Sequence, residues 1–426
     1  MNQLTKEILF QSGIKLKNRI VMAPMTIQSA FFDGGVTQEM ITYYGSRSGD
    51  ASAIIVESAF VENYGRAFPG ALGIDTDSKV AGLKKLADAI KQKGSKAILQ
   101  IYHAGRMANP EYNGGHHPIS ASPVAALRDN AETPLEMTEA QIESMIENFG
   151  NATRRAILAG FDGVEIHGAN TYLIQQFFSP HSNRRNDKWG GTIEKRTTFP
   201  LAILEKVKQV ALSHEKTDFI IGYRFSPEEL EEPGIRFIDT MYLLDKLASR
   251  GLDYFHFSMG NWARNSIVDP EDKELLITKY RQLQSEAVAK VPVIGVGGIA
   301  QRADAEKALS QGYDLVSVGK GYLVEPTWAA KALNDEPCAE FADIAQQGEL
   351  QIPTPLWEIM DYMIVDSAAE ALKHQRIKEL QSVKIEFKPG EYTAYGRGHN
   401  SDLPVTVTFS EDKILEIFVD SSKESD

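Results

Sequence analysis

Three polar side chains stand close together directly after an apolar run. Residues 163–166 are predicted to form a buried parallel strand, and His167, Asn170 and Tyr172 follow it. A histidine and an asparagine can both donate hydrogen bonds to one anionic oxygen, and a nearby phenol can deliver a proton to carbon. This set suits the reduction of an activated C=C bond.

The elements that would position these residues alternate between short apolar runs and amphipathic stretches. Strands are predicted at 20–25, 53–60, 96–102, 162–167, 219–225, 254–258, 293–296 and 315–318. Helices are predicted between them at 79–93, 138–159, 194–214, 238–250, 272–289 and 302–310. Eight strand–helix units predict an α/β fold of the (β/α)8 TIM-barrel type. In that fold the polar set lies at the catalytic end of strand four.

A doubly wound sheet is the main alternative fold. That fold carries a Gly-x-Gly-x-x-Gly turn after its first strand, where the turn wraps a pyrophosphate. The first strand of this chain instead runs into Ala23, Pro24, Met25 and Thr26. This segment has no glycine, so the barrel is the predicted fold.

Composition and charge exclude several classes of partner and cofactor. The 426 residues are enough for one large domain and an appendage. The formal net charge of −13 argues against nucleic acid or an anionic membrane as the main partner. The single cysteine, Cys338, excludes a disulfide within the chain and a cysteine-based metal or iron–sulfur site, and we predict no metal.

The sequence contains no apparent targeting or membrane segment. Its start lacks the hydrophobic region of a signal peptide, and no apolar run approaches the ~18 residues of a membrane span. We therefore expect a cytoplasmic protein. A homo-oligomer is compatible with the sequence.

Three segments are predicted along the chain: a barrel at 1–335, a helical extension or linker at 336–388, and a short β-meander at 389–426. The last barrel helix is broken before Pro337, and two helical pieces are predicted within 356–378. Farther on, the apolar period changes to two. This period indicates strands at 391–396, 404–409 and 414–419. Three short strands are marginally stable alone and must pack on another surface.

Glycines follow the last two predicted barrel strands. Gly297 and Gly298 come after strand seven, and Gly319 comes after strand eight, next to Lys320. Loops seven and eight of a barrel commonly bind phosphate through backbone N–H groups, and Lys320 adds a positive charge. The simpler alternative is that these glycines only permit tight turns.

Two further strand ends carry polar side chains. Arg224 ends predicted strand five, where a buried cation needs an anionic partner. The N1–C2=O edge of a flavin is one such partner, and an internal carboxylate such as Glu57 or Glu165 is another. Arg224 can interact with both partners at the same time. Gln100, at the end of strand three, can donate and accept hydrogen bonds, which suits the pyrimidine edge of a flavin.

Several motifs in the same order resemble the Old Yellow Enzyme family of FMN-dependent ene-reductases. The resemblance covers about residues 5–330 and is carried by 18–26 (NRIVMAPMT), 100–106 (QIYHAGR), the His167–Asn170–Tyr172 set, 179–185 (SPHSNRR) and 189–191 (WGG). It implies non-covalent FMN over the barrel mouth, reduced by NADH or NADPH, and a small-molecule substrate.

The resemblance also implies roles for individual residues. Those implied to bind the flavin ring are Ala23, Pro24, Met25, Thr26, Ser58, Gln100 and Arg224, with Thr26 at the position that contacts flavin O4. Gly297, Gly298, Gly319 and Lys320 match the phosphate site, although the family usually has arginine where this chain has Lys320. That difference keeps the charge and loses the bidentate geometry.

The substrate side of the implied site rests on four residues. His167 and Asn170 match the pair that binds the activating oxygen, and Tyr172 matches the donor of the proton that follows hydride transfer from N5 of reduced FMN. Gln28 stands where bacterial relatives often have an aromatic substrate-binding residue, so their substrate preference does not transfer. Four further candidates either reach the pocket or serve only local packing: His103, Arg106, His256 and Ser258.

The segment from Gly390 to Val419 resembles the start of a small domain in which FMN is attached covalently to threonine or serine. The attachment motif itself is absent. In some multidomain bacterial enoate and fumarate-type reductases, a barrel precedes that domain and an FAD-dependent domain follows it. The resemblance implies that this chain is either a fragment of such a reductase, with further flavin domains beyond its C-terminal end in a longer parent protein, or a truncated relative of one.

Three functions therefore remain open. The first is an FMN-dependent NAD(P)H oxidoreductase that reduces an activated C=C bond of the enone or enoate type, with a proton from Tyr172. The second is an NADH dehydrogenase module that passes electrons to other flavin domains. The third is a non-catalytic flavin-binding barrel.

Overall fold

The computed structural model describes residues 3–365, 388–397, 402–410 and 414–419. The chain divides into two compact units, Met1–Val365 and Asp366–Asp426. No helix among the described residues is long and apolar enough to cross a membrane.

The strands, in chain order, are β1 (Ile8–Leu9), β2 (Lys15–Leu16), β3 (Ile20–Met22), β4 (Ala53–Phe60), β5 (Lys96–Tyr102), β6 (Ile119–Ser120), β7 (Leu135–Glu136), β8 (Gly163–Gly168), β9 (Ile220–Phe225), β10 (Tyr254–Phe257), β11 (Val293–Val296), β12 (Leu315–Val318), β13 (Gly390–Arg397), β14 (Asp402–Phe409) and β15 (Ile414–Val419). The α-helices are α1 (Gln38–Arg47), α2 (Val80–Lys91), α3 (Glu139–Leu158), α4 (Leu173–Phe178), α5 (Ile193–Arg196), α6 (Thr198–Ser213), α7 (Phe237–Ala248), α8 (Leu276–Leu283), α9 (Glu286–Ala289), α10 (Arg302–Ser310), α11 (Lys320–Val324), α12 (Trp328–Asn334) and α13 (Thr354–Ile364).

Eight of these strands close into a parallel barrel. Around the barrel they follow the order β3, β4, β5, β8, β9, β10, β11 and β12. This confirms the predicted (β/α)8 fold, and every barrel strand coincides with a predicted one. The largest difference is at β3, which ends at Met22 rather than at residue 25.

The floor of the barrel is apolar. The β1–β2 hairpin places Phe10 and Leu16 against inward-facing side chains of the strands, among them Ile98, Ile220 and Tyr254. The rings of Phe10 and Tyr254 lie 5.8 Å apart. Because side chains alternate along a strand, each inward-facing residue is followed two positions later by another, one layer nearer the mouth.

Strand register sets the next layers. Gln100 is paired with Glu165, and Glu165 with Gly222. One layer higher, His167 is paired with Arg224, and Arg224 with His256. The layers above the floor are therefore polar, whereas burial alone favours apolar side chains. This difference marks the carboxyl end of the barrel as the functional end.

Two predicted helices are each divided in the structure. The 194–214 prediction becomes α5 and α6, because Pro200 has no N–H to donate to the carbonyl of Arg196. The 272–289 prediction becomes α8 and α9: Gln284 is extended, and the Ser285 hydroxyl accepts from the Val288 N–H to start a new helix.

The N-terminus of α3 confirms a predicted capping box. The Thr138 hydroxyl accepts from the Gln141 N–H, and the Gln141 side chain accepts from the Thr138 N–H. Helix α1 was not predicted, although Thr37 caps it and Met40, Tyr43, Tyr44 and Arg47 recur on its buried face.

After the barrel, the first unit continues to Val365 through α13. The remainder of the 356–378 helical prediction, beyond residue 365, lies outside the described residues. In the second unit β13, β14 and β15 form an antiparallel sheet, which confirms the predicted meander. The division into three segments at 335 and 388 stays a prediction.

Candidate functional site

His167 lies buried near the end of β8 and is neutral. Burial, followed by the nearby Arg224 charge, lowers its pKa to about 3. Its Nδ1 accepts the Ala169 N–H at 3.3 Å. In a neutral imidazole the proton then resides on Nε2, so the free edge of the ring is a hydrogen-bond donor.

Asn170 follows in a left-handed turn. Its φ is +57° and that of Thr171 is +62°, a conformation that L residues rarely adopt and that is strained for a β-branched threonine. The turn is held by hydrogen bonds: the Asn170 N–H donates to Ser226 Oγ at 2.9 Å, and the Thr171 N–H donates to Gln175 Oε1 at 3.0 Å. The Ser258 hydroxyl donates to Asn170 Oδ1 at 2.6 Å, which leaves the amide NH2 as a donor.

Tyr172 lies beside His167. The two rings are 5.0 Å apart at 83°, and the Tyr102 ring lies 5.0 Å from Tyr172 on another side. Burial raises the pKa of Tyr172 to about 12, although the Arg224 and Arg128 charges act in the opposite direction. Its phenol is therefore protonated at neutral pH and can act only as an acid there. The structure places the His167 and Tyr172 rings in contact, and Asn170 lies in the turn between them with its side chain held by Ser258.

Arg224 projects from β9 into the same layer. Its side chain is buried, and its Nε has no hydrogen-bond partner among the described residues. A buried guanidinium N–H without a partner is costly, so this atom points to an acceptor supplied by a ligand. Glu165 acts on Arg224 electrostatically without forming an ion pair with it within the described chain.

Glu165 is engaged by other residues. Its two carboxylate oxygens accept from Gln100 Nε2 at 2.6 Å and from His256 Nδ1 at 2.8 Å. Burial would raise the pKa of Glu165, but His256, Arg224 and Gln100 lower it to about 2. The ionised carboxylate thus balances the charge of Arg224 and fixes the Gln100 amide, whose carbonyl oxygen stays available as an acceptor.

The glycines after β11 and after β12 lie close against other segments of the chain. Gly297 has φ +89°, and a Cβ on it would lie 2.4 Å from the carbonyl carbon of Gly260, so no other residue fits without movement. A Cβ on Gly319 would lie 3.3 Å from Met25 Sδ. Lys320 begins α11 directly after Gly319. Gly297 thus lies against backbone and Gly319 against a side chain. These two glycines and Lys320, here termed the glycine cradle, are residue types that suit a phosphate.

The segment after β3 borders this cradle. Ala23 and Pro24 are buried, and Ala23 N–H continues the barrel hydrogen bonding to the Val318 carbonyl at 2.9 Å. Met25, Thr26 and Gln28 are partly exposed, and Gln28 has φ +53°. Ser58 is buried where the β4–β5 register shifts between Val56 and Ala59. Such a shift re-aims the side chains that follow it.

Glu57, which the sequence offered as a possible partner of Arg224, instead contacts the segment after β3. Its carboxyl is fully buried behind the 23–28 segment, with Oε2 accepting the Ile27 N–H at 3.3 Å and Oε1 without a partner in the described chain. Burial raises its pKa to about 8. The only sequence signal was an acidic residue inside the apolar run 53–60.

Two of the four further candidates, His103 and Arg106, form hydrogen bonds within loops. His103 Nδ1 accepts the Gly105 N–H at 3.0 Å, and Arg106 donates to the Ala125 carbonyl at 3.2 Å. His256 belongs to the Glu165 pair and Ser258 to Asn170. Within the described part of the chain, no group of three or more His, Cys, Asp or Glu side chains could hold a metal ion.

These features fit FMN. An unpaired guanidinium N–H and a free amide oxygen face the mouth layer where a polar flavin edge would lie, and the glycine cradle with Lys320 suits a phosphate. The neutral donor pair and the phenol sit next to them.

Comparison with known proteins shows the family of this chain. The family model for NADH:flavin oxidoreductase / NADH oxidase matches residues 5–337. The chain is 85% identical over its whole length to the NADH:acrylate oxidoreductase of Vibrio harveyi, covering 42% of that protein. It is 50% identical over 95% of its length to the NADH:fumarate oxidoreductase of Klebsiella pneumoniae (strain 342), covering 43% of that protein.

A solved structure supports the fold. The old yellow enzyme homologue from Zymomonas mobilis superposes with a TM-score of 0.71 at 24% identity, over 82% of this chain and 99% of that one. The chain spans less than half the length of the two oxidoreductases named above. With a family model that matches most of its residues, this chain belongs to the FMN-dependent NADH:flavin oxidoreductase / NADH oxidase family.

Proposed function

We propose that this barrel oxidises NADH at FMN and reduces an activated C=C bond in the same pocket. The observation that carries the proposal is the contact between the neutral His167 ring and the Tyr172 ring, beside Arg224 on the neighbouring strand. Asn170 lies in the turn between these two rings, with its amide oxygen held by Ser258. FMN, when bound, supplies reversible hydride chemistry.

His167 and Asn170 bind the oxygen of the activating carbonyl or carboxyl group. The Nε2–H of His167 and the amide NH2 of Asn170 are both donors before the substrate arrives, because the acceptor atoms of the two side chains are already occupied. Negative charge that develops on the substrate oxygen therefore meets fixed dipoles, and the barrier falls. The same pair suits the carboxamide oxygen of nicotinamide.

Tyr172 donates the proton that completes the reduction. Its O–H is ionised only near pH 12, so it holds its proton throughout the neutral range. The hydride goes to the β-carbon of the substrate, and the phenol O–H protonates the α-carbon. The Arg224 charge nearby stabilises the phenolate that remains until a proton returns from solvent.

A second function is favoured by one observation. The two relatives named for acrylate and fumarate are each more than twice as long as this chain, which matches the part that contains the barrel. In this alternative the barrel is the NADH-oxidising module, electrons pass to another flavin domain of a longer protein, and the C=C bond is reduced there. FMN reduction by NADH is common to both functions.

Anaerobic stopped-flow measurement tests the proposal. The FMN-loaded chain is reduced with NADH or NADPH, then mixed with 2-cyclohexenone, acrylate or fumarate while flavin absorbance is followed. Rapid bleaching by a nicotinamide and rapid reoxidation by one of the three acceptors are expected. Bleaching without reoxidation by any of them would favour the electron-transfer module, and no bleaching would exclude both functions.

A further inference from the structure

We propose that Phe341, from the segment after the barrel, is part of the FMN-phosphate site because its ring positions the Lys320 ammonium. Lys320 Nζ lies 4.3 Å from the centroid of the Phe341 ring. Lys320 forms no ion pair with any carboxylate of the described chain. The inference rests on the proposed assignment of Gly319 and Lys320 to the phosphate site.

The chain holds Phe341 at this end of the barrel from both sides. On one side, Gln301 Nε2 donates to the Cys338 carbonyl at 2.8 Å, and the Cys338 N–H donates to Gln301 Oε1 at 3.0 Å. On the other side, the Ala342 N–H donates to the Ile364 carbonyl at 2.7 Å. These two hydrogen bonds form a tether between Gln301 and the segment that carries Phe341. Gln301 caps α10 and lies three residues after Gly298, so the tether begins at the proposed phosphate loop.

The ring compensates for a property of lysine. Lysine has a flexible four-carbon stem and a point charge, and it lacks the planar fork with which arginine binds phosphate through two hydrogen bonds. A cation over an aromatic face is attracted to it while its remaining N–H groups point away from the ring. Phe341 therefore restricts the ammonium to a position from which it can still donate to phosphate.

Packing does not explain the position of this phenylalanine. Its side chain is 48% exposed, so it contributes little to a core. Its exposure also means that a substitution there should leave the barrel folded. An exposed cation–π pair corresponds to a change of about 2- to 5-fold in affinity.

Titration of apoprotein with FMN and with riboflavin, followed by flavin fluorescence, tests the inference. Phe341→Leu keeps the apolar bulk and removes the ring, whereas Phe341→Tyr keeps the ring. We expect Phe341→Leu to raise the Kd for FMN about 2- to 5-fold, Phe341→Tyr to leave it within about twofold, and neither variant to change the Kd for riboflavin, which has no phosphate. In a Lys320→Ala background, Phe341→Leu should have no further effect.

Two other results would overturn the inference for different reasons. If Lys320→Ala weakens FMN binding and Phe341→Leu leaves it unchanged or tightens it, the phosphate site stands and the role of Phe341 is wrong. If Lys320→Ala leaves the FMN Kd unchanged, the phosphate site itself is misassigned.

Discussion

The Ser258 hydroxyl, at the end of β10, donates to the amide oxygen of Asn170, after β8, at 2.6 Å. In the barrel only β9 lies between these two strands, although the two residues are 88 positions apart in the chain. With its oxygen occupied, the amide presents NH2 to the pocket. We infer that Ser258 is a positioning residue for one of the two groups proposed to bind the substrate oxygen.

We expect Ser258→Ala to lower kcat/KM for the alkene about fivefold, the free-energy equivalent of one neutral hydrogen bond. The loss should be divided between KM and kcat, because Asn170 acts on both substrate and transition state. Ser258→Thr, which keeps the hydroxyl, should restore most of the activity. Steady-state kinetics of the three proteins with equal FMN content would measure this. Equal kcat/KM in wild type and Ser258→Ala would show that Asn170 keeps its orientation without the serine.

Tyr172→Phe removes the proton donor and keeps the ring that contacts His167 and Tyr102. We expect reoxidation of the flavin by 2-cyclohexenone to slow at least 10-fold, in the range typical of a lost general acid. Reduction by NADH needs no proton from this residue and should be largely unchanged. Stopped-flow measurement of the two half-reactions separates these effects, and unchanged enone turnover would remove Tyr172 from the mechanism.

The pKa shifts predict an unusually flat pH profile for alkene reduction. His167 is neutral above about pH 3, and Tyr172 stays protonated below about pH 12. Neither group changes its charge between these values. Titration of His167 and Tyr172 should therefore leave the reoxidation rate nearly constant from about pH 5 to about pH 10. Reoxidation rates measured across that range would check this. A decline centred near 6.5 or 10.0, the ordinary pKa values of the two side chains, would contradict it.

Glu57 should make the protein less stable as pH rises. Its folded-state pKa is raised by burial to about 8 from an ordinary 4.5, so between these values the unfolded chain ionises while the folded chain keeps the proton. The unfolded state is therefore favoured increasingly through this window, by up to about 1.4 kcal/mol per pH unit. Glu57→Gln abolishes this titration. The Tm of the variant minus that of wild type should therefore increase from about pH 5 to about pH 8.

The exposed Glu358 on α13 provides the control for that measurement. Its carboxyl is in water in both states, so Glu358→Gln should show no comparable change of Tm with pH. If Glu57→Gln and Glu358→Gln behaved alike, the buried carboxyl would have a relaxed environment that lets it ionise in the folded protein.

The local sequence contained enough to predict the barrel and the strand ends. The apolar runs are short, rich in β-branched residues and separated by amphipathic stretches, and each run coincides with a barrel strand. Because parallel strands present their carboxyl ends at one face, His167, Gln100 and Arg224 could be assigned to one mouth before their contacts were known.

Contacts between distant residues could not be predicted in this way. Glu165 is hydrogen-bonded to Gln100 and His256, which are 65 and 91 residues away, and only strand register brings them together. The left-handed conformation of Thr171 is unexpected for a β-branched residue. It depends on hydrogen bonds that the N–H groups of this turn donate to the Ser226 hydroxyl and to the Gln175 side chain of α4. The position of Phe341 depends on a tether to Gln301, for which the sequence offers no local signal.

The β1–β2 hairpin has a kinetic consequence. Phe10 and Leu16 pack across the amino end of the barrel. Reductant and oxidant therefore both approach the Arg224 layer from the carboxyl end. Reductant and oxidant then need the same two donors, His167 and Asn170, and must occupy the pocket in turn. Double-reciprocal plots should give parallel lines, and a large excess of NADH should inhibit turnover by occupying the place that the oxidant needs.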